Sequence, residues 1–259
     1  MKVRNIMESF SRLIVALAVV CSVGAQTVKV GSYIFPPYFE KSENGKFYGV
    51  IPDFLAGLNK FQKAYRFEVF ETSPKRRYQD FLEGKFDSIF FESPQWGWEE
   101  IVEQNKLTFL GDVVLDGEVF ISNISRKGSD DFFKDLKGKT IGLYLGYHYK
   151  FANFNSDEHY LKANFNAFVS SSHDRNIERI INNRLDMAIV TKSYIKKYLL
   201  DHPDTKSKIY ISSVVDQDYR LKFGIRKSIN FEESKMKKII DEFLSSPTYH
   251  EIIKKYGLE

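Results

Sequence analysis

The chain has 259 residues, 43% hydrophobic and 28% charged, with a formal net charge of +4 and a single cysteine. That length suits one large domain or two lobes of ordinary size. The charges are interspersed, which excludes the clustered basic face of a nucleic-acid binder.

In chain order, residues 1–25 read as an export leader outside the fold. Lys2, Arg4 and Arg12 accompany an apolar run, Leu13–Val20, too short to span a bilayer, and Val23-Gly24-Ala25 places small residues where a signal peptidase cuts. Cys21 raises a lipid-anchored alternative, but Val20 stands where a lipobox has Gly, Ala or Ser. Cleavage after Ala25 removes the only cysteine, which suits an oxidising compartment and leaves no thiol for disulfides, metal ligation or nucleophilic chemistry. The leader holds two of the four net positive charges, so the remainder is nearly neutral.

Val28 and Val30 alternate with polar neighbours as a strand that Pro36-Pro37 must end, because neither proline can donate to a sheet ladder. Tyr33, Phe35 and Tyr38 then stand on a loop at the strand's carboxyl end, where open α/β sheets hold ligands, or else they tuck into the core. Phe54, Leu55, Leu58 and Phe61 recur at helical spacing behind Pro52 and Asp53, and 66–70 is the next strand. Ser73-Pro74 reads as an N-cap with proline at the first helical position. Tyr78, Phe81 and Leu82 form the buried stripe of that helix, Gly84 ends it, and 87–91 is a strand. Such βαβ units predict a mostly parallel sheet.

The pattern restarts after Asp116-Gly117. It gives a strand over 118–122, a short helix over 131–136, strands over 140–145 and 165–169, and a helix capped by Ser172 that carries Ile177, Ile180 and Ile181. Arg184-Leu185-Asp186-Met187-Ala188-Ile189-Val190 echoes Lys85-Phe86-Asp87-Ser88-Ile89-Phe90-Phe91, which implies two lobes of similar design. A helix with Tyr194, Ile195, Tyr198 and Leu199 ends before Pro203. Strands over 208–211 and 221–226 and amphipathic helices over 231–244 and 247–256 complete the chain.

Several pieces, in this order and spacing, resemble one family: Phe35-Pro36-Pro37-Tyr38, Gly45 and Gly49 with Asp53, Gly84-Lys85-Phe86-Asp87, Asp135-Leu136-Lys137-Gly138-Lys139-Thr140-Ile141-Gly142 leading to Gly146, Leu185-Asp186-Met187-Ala188, and the terminal Tyr256-Gly257. The chain over 27–257 is similar to the extracytoplasmic solute-binding proteins of bacterial ABC importers, in the type II class that includes the polar amino-acid binders. The resemblance implies an α/β, two-lobed periplasmic-binding-protein-like fold, each lobe a mostly parallel sheet flanked by helices, with the ligand cleft between them. Residues 26–115 and 218–259 would form the first lobe and 116–217 the second. It also implies a periplasmic monomer that takes a small-molecule ligand and meets an ABC permease or a membrane receptor, with no cofactor, metal or nucleic acid.

In such a cleft Tyr33, Phe35 and Tyr38 can offer stacking faces. Gly146, in a turn flanked by Tyr144, Tyr147 and His148, can bring backbone N–H groups at a helix start to an anion. Glu92 is the carboxylate expected at the cleft. The amino-acid binders of this class hold the α-carboxylate with an arginine in a Thr-x-x-Arg turn after the strand that here ends at Phe91, and the α-ammonium with an acid after the strand that here ends at Val190. In this chain the first turn reads Ser93-Pro94-Gln95-Trp96, followed by Trp98, and the second position is Thr191. With both charge partners missing, standard α-amino acids are expected to bind poorly and a flat or apolar ligand is favoured. Any anionic part of it would be met by Arg76 or Arg77, with Arg77 ranked first.

Catalytic readings fare worse. His148, His159, His173, His202 and His250 stand in no metal-ligand spacing, Gly142 and Gly146 do not make a dinucleotide fingerprint, and Ser93, Ser171 and Ser172 lack the glycines of a nucleophile elbow. Cyclohexadienyl dehydratases resemble these binders, so a lyase on the same fold remains an alternative, as does a sensor subunit for a membrane receptor.

Overall fold

The computed structural model describes residues 25–227 and 231–259, so the expected export leader and its cysteine lie outside the described residues. Strand β1 (Gln26–Ser32) buries Val28 and Val30 completely and gives way to the Pro36-Pro37 loop. A two-strand hairpin, β2 (Glu40–Lys41) and β3 (Phe47–Tyr48), leads into helix α1 (Val50–Phe61). Phe54, Leu55 and Leu58 of α1 face the core, while Phe61, in its last turn, is largely exposed. Strand β4 (Tyr65–Glu71) pairs parallel with β1 along its whole length.

Helix α2 (Arg77–Leu82) starts later than its cap signal suggests. Ser73 Oγ accepts from the Arg76 N–H at 3.3 Å, so Ser73-Pro74 closes a separate turn ahead of the helix. The helix buries Arg77, Asp80 and Phe81, and Leu82 stays exposed. All five residues of β5 (Ser88–Glu92) are buried, and a short helix, α3 (Glu99–Glu103), precedes the long strand β6 (Leu107–Asn123).

The second half repeats the alternation with β7 (Ile141–Tyr144), α4 (Glu158–Phe165), β8 (Ala167–Ser170), α5 (His173–Ile181), β9 (Met187–Thr191) and α6 (Lys192–Asp201). Ser172 caps α5 as expected, its Oγ accepting from the Arg175 N–H at 3.2 Å. The segment expected as a helix over 131–136 is a single 3-10 turn, Asp130–Phe133. Strand β10 (Ile209–Arg226), α7 (Glu233–Leu244) and α8 (Pro247–Lys255) finish the chain.

One eight-stranded sheet runs β4-β1-β5-β10-β6-β9-β7-β8. Its two ends are parallel triplets, β4-β1-β5 and β9-β7-β8, joined by the antiparallel pair β6 and β10. Segments expected as separate strands over 118–122, 208–211 and 221–226 are pieces of these two long strands, of 17 and 18 residues. The first triplet meets β10 at Lys222–Ile225 and the second meets β6 at Glu118–Ile121, so the triplets attach to opposite ends of the ladder. Its register shifts at four places between Ile211 and Gly224.

The echo between 85–91 and 184–190 has a physical basis. The Asp87 carboxylate accepts from the Lys29 N–H at 2.9 Å while its own N–H donates to Lys29 O, and Asp186 does the same with Thr140. In each triplet an aspartate just before an outer strand, β5 or β9, locks that strand to the central one, β1 or β7, by satisfying a backbone donor within the central strand or at the residue before it.

Candidate functional site

The loop after β1 is pinned by reciprocal backbone hydrogen bonds between Phe35 and Phe39, both at 2.9 Å. This holds Phe35 stacked on Tyr38 (ring centroids 4.6 Å apart) and edge-on to Trp96 (5.7 Å) and to Tyr147 of the opposite half (5.3 Å). These rings enclose a cavity of about 10 Å³, the scale of one water molecule. Tyr33, Phe35, Arg77 and Trp96 line it from the first half, Gly146, Tyr147 and His148 from the second, and Glu118 from β6.

The halves meet closely here. Gly146 has φ +79°, and a Cβ on it would stand 2.6 Å from Pro74 Cβ, so only glycine lets the β7 loop seat against the Ser73-Pro74 turn. Tyr78 Oη and His148 Nε2 approach to 3.5 Å across the same seam, and the Gln217 side chain donates to His148 O. Burial, then the Arg77 charge, pushes His148 down to about 3, so its ring is neutral.

Arg77 is 1% exposed. Its guanidinium lies 4.6 Å from the Tyr33 ring centre and 4.4 Å from that of Tyr78, donates to Trp96 O at 3.2 Å and to Pro74 O, and stands 2.8 Å from Glu92 as a close ion pair. Burial opposes the guanidinium charge, but Glu92 more than restores it and holds Arg77 protonated. Glu92 also accepts from Tyr33 Oη and Trp98 Nε1, both at 2.7 Å. Burial pushes the Glu92 carboxyl up, against the pull of Arg77 and these two donors.

Glu118, which the sequence reading did not single out, is 2% exposed. Its Oε1 accepts from Thr191 Oγ1 at 3.2 Å and Tyr219 Oη at 3.1 Å, and its Oε2 has no partner among the described residues. Trp96 Nε1 and Tyr147 Oη also lack partners, so three unpartnered polar atoms belong to residues lining one cavity. Burial, followed by the like charges of Asp116 and Asp216, pushes the Glu118 carboxyl well above the usual range.

The other expected residues fall around this centre. Tyr38 lies behind Phe35 with its hydroxyl on Asp116 (2.6 Å), Trp98 is buried behind Glu92, and Tyr144 lies tilted against Tyr147, ring centroids 4.5 Å apart. Thr191 orients Glu118. Ser93 opens on a separate depression beside Asp116 and Tyr219. Arg76 is exposed, pairs with Asp80 at 3.5 Å and does not line the cavity. The helix start expected after Gly146 is a 3-10 turn, Lys150–Ala152, and its N–H groups at Lys150 and Phe151 already donate to the Asp216 carboxylate at 2.8 and 2.9 Å. His173 is enclosed by Tyr144, Tyr147 and Tyr194, and burial pushes it down to about 3. Among the described residues no group of His, Cys, Asp and Glu is arranged to hold a metal, and no helix is long and apolar enough to cross a membrane.

No family model and no curated protein matches the sequence. Solved structures do match in shape over almost the whole chain. The ligand-binding core of GluR0 in complex with L-glutamate aligns with a TM-score of 0.68 at 14% identity, covering 91% of this chain and 99% of that one. The fold is that of the two-lobed binding proteins. A Salmonella typhimurium periplasmic binding protein of high arginine specificity aligns at 0.62 and 21% identity, over 89% of this chain and 99% of its own. An ancestral amino-acid-binding protein described as a precursor of cyclohexadienyl dehydratase aligns at 0.61 and 18%, over 90% and 95%. At such identities the likeness carries the architecture, and the site must be argued from its own residues.

Proposed function

We propose that the chain is a periplasmic solute-binding protein that captures a small organic ligand with a flat or apolar body and presents it to an ABC permease. The lobes are 26–115 with 218–259, and 116–217. They turn about β6 and β10, whose register shifts concentrate bending at the crossing, and the ligand is held as they close. Export would remove 1–25, and the protein would act as a monomer.

The observation that carries this reading is the aromatic cavity at the seam of the two halves, lined by residues with three unpartnered polar atoms. A protein interior does not leave such atoms idle without cost; the cavity as it stands has room for one water, and a ligand admitted between Phe35, Trp96 and Tyr147 as the lobes part would satisfy them. The fold neighbours named for arginine, glutamate and other amino acids support a binding role rather than a reaction. A receptor-coupled sensor would use the same cleft, and permease and ATPase genes beside this one would favour import.

A thermal-shift screen of metabolites followed by small-angle scattering tests the reading. A true ligand should stabilise the fold by about 2.7 kcal/mol at a hundredfold excess over its dissociation constant and shrink the radius of gyration. A binder that leaves the radius of gyration unchanged would overturn lobe closure.

A further inference from the structure

We propose that Glu118 is the charge partner of the ligand and that the cleft takes an organic cation, an ammonium group on a flat or apolar body that bears no carboxylate. The inference rests on the binding reading above and names the ligand class for the same cavity.

The argument is an accounting of charge. Two groups could have offset an anion's charge, a guanidinium and a helix start, and both are already engaged within the fold: Arg77 by Glu92 at 2.8 Å, and the N–H groups of Lys150 and Phe151 by Asp216. An incoming carboxylate would have to displace a protein carboxylate from a buried pair, leaving that one unmatched. Glu118 is in the opposite condition. It lines the cavity, its Oε2 has no partner, and no ion pair reaches it among the described residues. Its neighbours add negative potential: Asp116 on its own strand, and Asp216 on β10. The remaining groups facing it are hydroxyls, those of Thr191 and Tyr219 bound to Oε1, with Tyr147, Tyr149 and Tyr38 nearby. A cation placed at Oε2 would also lie among the rings of Phe35, Trp96 and Tyr147, which attract positive charge through their faces. The same accounting disfavours α-amino acids, because Glu118 can hold an ammonium but no uncommitted cation lines the cavity for the carboxylate, which would find only the neutral donors Trp96 Nε1 and Tyr147 Oη.

The test compares phenethylamine, tyramine and tryptamine with their parent amino acids and with the matching arylpropionates, by titration calorimetry near neutral pH. The three probes of each set share a ring on a two-carbon tether and differ in the charged groups carried there. At least one amine should bind, at least about tenfold tighter than its amino acid or carboxylate, and Glu118→Gln should weaken it by about tenfold or more. Preference for a carboxylate, or amine binding untouched by Glu118→Gln, would overturn the assignment. Should Glu118→Gln fail to fold, the ranking on the unmodified protein decides alone. If only neutral or anionic compounds from the metabolite screen close the lobes, the cation falls and the binding reading stands. If no compound closes them, the binding reading itself falls, and this inference with it.

Discussion

Glu92 and Glu118 are both buried glutamates, but only Glu118 lines the cavity, and they sit in opposite electrostatic settings. Glu92 receives a guanidinium, an indole N–H and a phenol, and is closed off behind Arg77. Glu118 receives two hydroxyls on one oxygen, faces two other carboxylates, and has no partner among the described residues for its second oxygen. A buried charge is tolerated when its partners come from the same fold, so the first site reads as structure. The second has no counter-charge among the described residues, and the proposed cation would supply one.

The comparison can be broken hardest at Arg77. Arg77→Met removes the cation and leaves Glu92 buried without a counter-charge, which should cost about 3–5 kcal/mol of stability in urea unfolding. A loss under 1 kcal/mol, on the order of an exposed pair, would mean that the Glu92 cluster is not the closed unit described. Trp98→Phe takes away one donor to Glu92 and should cost less, about 1.5–3 kcal/mol, with the aromatic packing on Tyr78 and Phe81 mostly kept. The smallest effect, and the one of opposite sign, belongs to Glu118→Gln. A carboxyl whose folded pKa is raised stabilises the fold below its ordinary value of 4.5, and that contribution is lost as pH rises toward the folded value. Glu118→Gln should therefore match the unmodified protein in acid and become progressively the more stable of the two above about 4.5. Unfolding midpoints across pH that stay parallel would place Glu118 in a solvated setting instead.

Much of the architecture was readable because it is written locally. Ser172 before an apolar helical stripe, the prolines after β1, and the paired Asp87 and Asp186 each act within a few residues or repeat a local pattern. Strands β6 and β10 were read only in fragments because Asp112, Asp116 and Gly117 in one, and Ser212, Ser213, Asp216 and Asp218 in the other, break the alternation expected of a strand. Those polar residues are where the two strands cross between halves, with register shifts instead of a uniform face. The aromatic lining was legible, since Phe35, Trp96 and Tyr147 fall in loops after strands. The charge pattern was not. Arg77 stood out as a lone cation because its partner Glu92 comes from another element, and Glu118 stayed hidden because its isolation is a property of three strands packed together. The loop after Gly146 looked like an anion site for a related reason: Asp216, the carboxylate that fills it, arrives from β10.

The placement of the two tryptophans has an optical consequence. Trp98 is sealed with its indole N–H on a carboxylate, whereas Trp96 bridges Phe35 and Tyr219 at the cavity with its indole N–H free. With only 2 tryptophans in the chain, one indole is a constant background and the other lines the cavity at which the proposed lobes would part. On the proposed closure the protein would carry its own label: its intrinsic emission should follow the wetting and drying of a single side chain, so that a dye-free titration reads that one site.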